Sequence, residues 1–201
     1  MRTGYLAIAL ILFISIVSPA SADEGDAALR EGQDAFKQNR YDISIPLFQK
    51  AREWYRKQGM PKEEAKALCH VAEARCALNQ TAEAISALKD ALALLETLDD
   101  RKSTVKVLNA LCDLSMLRRE QDSARQYAEK ALEGAEAIGD RENIIRALLS
   151  LGLLEQGAGN LKRALPLLER CCRLARERKS EATLAAVLLS LGNVQYSLSE
   201  Y

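Results

Sequence analysis

The sequence repeats every 40 residues. Ser44, Ala84, Ala124 and Ala164 stand in step. So do Ala28, Leu68, Leu108, Leu148 and Leu188, and again Ala51, Ala91, Ala131 and Cys171. A fixed period of this length means that one supersecondary unit is copied and stacked, each copy leaning on its neighbours rather than on a common centre. The expected architecture is all-α, an α-solenoid of stacked antiparallel helix pairs. Four units span about 25–64, 65–104, 105–144 and 145–184, with a partial fifth over 185–201. An array of this kind presents an extended surface, which points toward binding and away from chemistry.

The helices are legible within each unit. In the fourth, residues 143–156 form a first helix and Gly157-Ala158-Gly159-Asn160 breaks it; residues 161–178 form a second. Ile144, Ala147, Leu148 and Leu151 recur at helical spacing, as do Leu161, Ala164, Leu165 and Leu168. Asp140 is positioned to cap the incoming helix with its carboxylate. Gly59-Met60-Pro61, Asp99-Asp100 and Gly139-Asp140 mark the turns between units. Gly32, Ala72, Cys112, Gly152 and Gly192 share one register position, a place for close helix approach. Larger residues, Phe48, Leu88 and Leu168, hold another, with Ala128 the smaller exception. Pro46 and Pro166 lie three periods apart and are expected in the first turn of a second helix, where amides lack acceptors.

The two ends read differently from the middle. Arg2, the apolar run from Leu6 to Val17 and the small-residue site Ala20-Ser21-Ala22 form a secretory signal peptide over 1–22. Twelve helical residues reach about 18 Å, too short for a bilayer core of about 30 Å. The mature array, 23–201, is expected to be exported, periplasmic or extracellular, with no membrane span after cleavage. At the other end the last helix is apolar around much of its circumference: Leu184, Val187, Leu188, Leu189, Leu191 and Val194. Such a helix expects cover. The sequence therefore reads as a truncated array, or one whose uncapped C-terminal helix self-associates or meets a partner.

Composition excludes several classes. Basic and acidic residues balance at 28 each, and loss of Arg2 leaves the mature chain near −1, so nucleic acid is not an expected partner. No nucleophile elbow, phosphate loop or paired-histidine motif occurs, so no enzyme activity, catalytic residue, metal or cofactor is expected. His70, the lone histidine, reads as a polar surface residue. Cys69 and Cys76 are seven apart on one helix, about 10.5 Å along its axis, too far for a disulfide. Cys112 and Cys171 read as small core residues, Cys171 and Cys172 as too strained to bridge, and a cross-unit bridge such as Cys76–Cys112 is left open.

The run Leu148-x-x-Leu151-Gly152, followed by Gly159, Ala164, Leu168 and Cys171, resembles the tetratricopeptide repeat, as do its counterparts in the other units. The likeness covers 26–201 and is to a lengthened, 40-residue variant. It departs from the family at the first-helix aromatic, replaced by Ala35, Arg75, Ser115, Glu155 and Gln195. The resemblance implies a right-handed superhelix whose first helices line a concave, partner-binding groove. Carried over by repeat position, that groove holds the basic row Lys66, Lys106 and Arg146, with Glu73, Asp113, Asn109, Asn193, Phe36, Met116 and Tyr196. A carboxylate clamp for chain ends is not expected: Leu29, Gln33 and His70 stand where the resemblance implies Lys, Asn and Asn, and although Lys106 matches in the next unit, Ala110 replaces its basic partner. The resemblance implies an interaction scaffold for a protein or peptide segment, unidentified from sequence. The alternative it implies is the N-terminal recruiting or sensor region of a larger enzyme, a caspase-like protease or signalling kinase. An assembly factor for envelope or secretion machinery is a third reading on the same fold.

Overall fold

A computed structural model of the chain describes residues 24–178 and 181–199. The leader at 1–22 lies outside the described residues. Among them are nine helices: α1 Glu24–Lys37, α2 Tyr41–Lys57, α3 Pro61–Ala77, α4 Thr81–Thr97, α5 Arg101–Leu117, α6 Gln121–Ala137, α7 Arg141–Gly157, α8 Leu161–Glu177 and α9 Glu181–Ser199. They form four antiparallel pairs plus one further helix, with no sheet. The pairs start at Pro61, Arg101 and Arg141, so the nominal unit edges fall one turn inside each first helix.

The backbone repeats at half the sequence period. Positive φ occurs at Asn39, Gly59, Asn79, Asp99, Arg119, Gly139 and Gly159, one every 20 residues. Each closes a helix with a left-handed residue. The next amide then reaches back to the carbonyl five residues earlier: Arg40 to Ala35, Met60 to Tyr55, Gln80 to Arg75, and on to Asn160 with Glu155. This bond pattern satisfies end carbonyls and reverses the chain in three residues. Glycine, asparagine and aspartate tolerate that conformation; Arg119, at φ 61°, does so against steric cost. Asp140 caps α7 as its sequence predicts, accepting from the Asn143 amide at 3.2 Å. Asp100 does the same for α5 through the Ser103 amide at 3.1 Å.

The prolines correct the sequence reading. Pro46 and Pro166 are interior to α2 and α8, each the sixth residue of its helix. Each removes an amide that would have bonded the carbonyl four residues back, at Asp42 and Lys162. Both residues are exposed.

Packing follows the register. A β-carbon on Gly32 would lie 2.7 Å from Phe48 Cδ1, and one on Gly152 2.5 Å from Leu168 Cδ2. Each large second-helix residue thus seats over a small first-helix residue sixteen positions earlier. In the third pair both members are small, Cys112 and Ala128, and they share one buried cluster. Gly192 continues the row, but nothing described lies within 4 Å of where its β-carbon would be. The expected cover for the last helix is absent among the described residues: Leu188 is 44 % exposed, Leu189 70 % and Tyr196 66 %.

Candidate functional site: a groove between the third and fifth helices

Each helix packs mainly on its neighbours in sequence; the second-neighbour contacts join α1 to α3, α5 to α7 and α7 to α9. Odd-numbered helices therefore line the tighter, inner side. Between α3 and α5 this inner layer opens. The gap holds a groove of about 800 Å³. Leu88 and Leu95 of α4 reach its floor, and Cys69, Ala72, Val107 and Ala110 line its walls. Small wall residues leave the space that longer side chains would fill.

Five of the residues picked out by repeat position meet here: Lys66, Glu73, Lys106, Asp113 and Arg146. Their charges are not equally available. Arg146 donates to Asp113 across α5 and α7, so both ends of that pair are engaged. Glu73 Oε2 lies 2.9 Å from His70 Nδ1. Lys62, at the same end as the other lysines, pairs with Asp100 at 3.3 Å. Lys66 and Lys106 are exposed, and among the described residues neither has a carboxylate in ion-pair range. Both line the gap, at the same register position of successive first helices. The groove consequently has an end with lysines, where Glu63 also lies, an apolar middle, and an end where Asp113 pairs with Arg146 and Glu73 is hydrogen-bonded to His70.

The other predicted groove residues fall elsewhere. Asn109 is not surface at all: it is 1 % exposed, and its Nδ2 donates to Asn143 Oδ1 at 2.9 Å. Asn143 in turn donates to Asp140, so Asn109 ties α5 to the cap of α7. Asn109 shares its repeat position with Cys69 and Leu149, so the repeat itself carries no sign of this polar bond. Phe36 is half-buried with its ring edge against Tyr41, centroids 5.1 Å apart. Met116 packs on the cluster around Cys112 and Ala128. Asn193 and Tyr196 lie on α9, beyond the groove.

His70 also departs from the plain surface reading. Its ring stacks on Phe48 with centroids 5.1 Å apart and planes at 22°. Gln33 Nε2 lies 3.1 Å from Nε2. With the amide donating there, the imidazole proton sits on Nδ1 and is donated to Glu73. The ring therefore links α1, α2 and α3 and forms part of the groove wall. Lack of a second histidine had argued only against metal and triad chemistry, not against this bridging role.

All five cysteines are free, so the Cys76–Cys112 bridge is not formed. Burial pushes the Cys69 thiol up to about 11, with the Glu73 carboxylate adding to it. Cys76 is raised by the same two causes. Both thiols at the groove are thus protonated, apolar wall at neutral pH. Among the described residues no group of three or more His, Cys, Asp or Glu is placed to hold a metal ion. No described helix is long and apolar enough to cross a membrane.

Comparison with known proteins fixes the family. The tetratricopeptide repeat model matches residues 23–97 and 104–177. No curated protein matches. Among solved structures, aspartyl phosphate phosphatase F from Bacillus subtilis superposes with a TM-score of 0.75 at 17% identity, over 90% of this chain and 48% of that one. The signal transduction ATPase PH0952 from Pyrococcus horikoshii, which has a tetratricopeptide repeat sensor, gives 0.72 at 18% identity, over 88% of this chain and 27% of that one. PilF from Pseudomonas aeruginosa gives 0.66 at 21% identity, over 90% and 72%. This chain spans about half the length of the phosphatase structure, and these likenesses concern the fold alone. With the helix pairs, the register and the family match in agreement, the chain belongs to the tetratricopeptide repeat family.

Proposed function

We propose that this protein is an exported interaction scaffold that holds a protein or peptide segment in its concave groove. One observation carries the groove reading: the inner helix layer opens between α3 and α5, and Lys66 and Lys106, without an ion-pair partner among the described residues, line the opening. A partly enclosed channel already formed without an occupant lowers the ordering cost of binding. A single exposed ion pair contributes only about 0.2–1 kcal/mol. The lysines therefore act with the apolar middle of the groove, not alone. The test is a peptide-display selection on the immobilised array, followed by affinity measurement on Lys66→Glu/Lys106→Glu. Binding that is indifferent to that double variant would remove the groove from the reading.

Export rests on the leader pattern at 1–22. Cell fractionation with mass spectrometry of the mature N-terminus checks it. The expected product begins at Asp23; a full-length cytoplasmic chain retaining Met1 contradicts it.

A second reading has its own support. The chain matches only 27% of a signal transduction ATPase in which the tetratricopeptide repeat is the sensor. This chain would then be the recruiting or sensor region of a larger enzyme, such as a caspase-like protease or a signalling kinase. The coding frame after Tyr201 separates the two readings. The exposed apolar face of α9 supports self-association or contact with a further segment, and sedimentation of a Leu189→Glu variant tests the former.

A further inference from the structure

We infer that the open face of α9 recognises itself: two copies of the chain join through an antiparallel α9–α9 contact. This rests on the self-association reading above and adds its symmetry, register and residues. In α7, packed against α8, the residues Ile145, Leu148, Gly152 and Glu155 are buried or closely covered. Their counterparts one repeat on, Ala185, Leu188, Gly192 and Gln195, are exposed. From Ala182 to Ser199 the helix carries no charged side chain, so no like-charge repulsion opposes the meeting of this face with itself. The other end of the array offers no such match. There α1 exposes Glu24, Glu31, Asp34 and Lys37, charges that an apolar partner helix would strip of water. Head-to-tail stacking of α9 on α1 is thereby disfavoured, and a twofold α9 pair closes instead.

The pattern on the face sets the register. Ala182, Ala185, Leu189, Gly192, Tyr196 and Ser199 are all exposed and follow one another at alternating steps of three and four. That spacing makes the seam of two helices crossing at about 20°. With the twofold axis level with Ser190 and Leu191, an antiparallel pair sets Leu189 opposite Gly192, Tyr196 opposite Ala185 and Ser199 opposite Ala182. Every layer then holds at least one small residue, so the axes can close to about 8 Å. The same rule seats Phe48 over Gly32 and Leu168 over Gly152 within the array. Nothing described lies within 4 Å of where a β-carbon on Gly192 would stand, so a leucine from the second copy has room there. A parallel pair would instead set leucine on leucine and glycine on glycine, crowding one layer and emptying the next. The seam spans about 26 Å. One helix face of that length falls short of the roughly 1,600 Å² of a standard interface, so the dimer is reversible. At low concentration the chain is a monomer and Gly192 stays uncovered.

Sedimentation equilibrium of the whole chain over a wide concentration range tests this, with a monomer–dimer equilibrium as the expected result. Leu189→Ala removes the protruding side chain and Gly192→Leu fills the space that receives it; each should weaken the dimer by about tenfold or more. The swapped variant Leu189→Ala/Gly192→Leu again sets a leucine opposite a small residue. It should recover the dimer to within about threefold of the original, because the two positions are coupled across the axis. Both sites are exposed on the monomer, so circular dichroism should show unchanged helix content in all three variants. A second readout needs no variant: amide exchange over α9 of the unmodified chain should slow as concentration rises. Association that ignores Gly192→Leu, or that a folded swapped variant does not recover, overturns the inference and leaves self-association standing. A chain that stays monomeric, with α9 exchange independent of concentration, removes both. Neither result bears on the groove, which the peptide selection tests separately.

Discussion

Gly152 and Gly192 occupy the same register position in consecutive first helices, and their surroundings are opposite. Gly152 lies under Leu168, with no room for even a β-carbon. Gly192 faces open space. The residue type is identical, so the difference comes from the second helix that packs on one and not on the other. Glycine in this row is a packing requirement where a large side chain lands sixteen residues later. Without that side chain it is only a weak point in a helix. The comparison explains why α7 is buried along its outer contacts while α9 leaves Leu188 and Leu189 exposed.

Breaking the seated side should cost most. Leu168→Ala empties a fully buried site and is expected to destabilise the array by about 2–5 kcal/mol, read by denaturant or thermal melting. Gly152→Leu overfills the same contact and is expected to cost about 1–3 kcal/mol. An unchanged melt for either would mean the two helices are not in the register described. The caps come next. Asp140→Ala should cost about 0.5–2 kcal/mol. Hydrogen bonds from Asn143 hold the Asp140 carboxyl below its usual range, and the Ser103 amide does the same for Asp100. A depressed carboxylate stabilises the fold above its unfolded pKa, near 3.9, and that contribution is lost as pH falls through the folded value. The wild-type chain should therefore lose stability on acidification below about pH 4 more steeply than Asp100→Asn/Asp140→Asn. Parallel acid limbs would contradict the capping role. The smallest effect has the opposite sign. Gly192→Ala should stabilise the chain by up to about 1 kcal/mol, because alanine favours the helix and meets nothing. A loss there would mean that another surface covers the position.

Much of the fold was legible because the same choices recur in several copies. The 40-residue step, the helix pairs and the Asp140 cap follow from residues repeated at fixed spacing. The 20-residue turn repeat was half hidden. Gly59, Gly139 and Gly159 announce it, but Asn39, Asn79 and especially Arg119 adopt the same left-handed conformation without glycine. There the tertiary stack overrides local preference. Pro46 and Pro166 misled for a similar reason: helix starts are fixed by the turn bonds, one turn earlier than proline alone indicates.

The site was legible as a row, not as a groove. Repeat position correctly aligned Lys66 with Lys106, but it could not distinguish them from Arg146, whose charge is taken by Asp113 on the neighbouring helix. It also placed Asn109 on the surface, whereas a buried polar bond to Asn143 draws it inward. Both outcomes depend on what stands opposite in space, 33 or 34 residues away, and no single unit carries that information. Nor does the period reveal that the inner layer opens between α3 and α5. That opening follows from the volumes on both walls, Cys69 and Ala72 against Val107 and Ala110.

The register that sets a small first-helix residue under the second-helix residue sixteen positions later holds the pairs, and so the concave face, in place. A double-mutant cycle measures it most directly. Gly152→Cys with Leu168→Ala rebuilds in the fourth pair the combination already present as Cys112 and Ala128 in the third. The two residues should be coupled: the double variant should melt well above the temperature obtained by adding the two single losses. Strictly additive losses would show that residues 152 and 168 do not touch, and would contradict the stacking described.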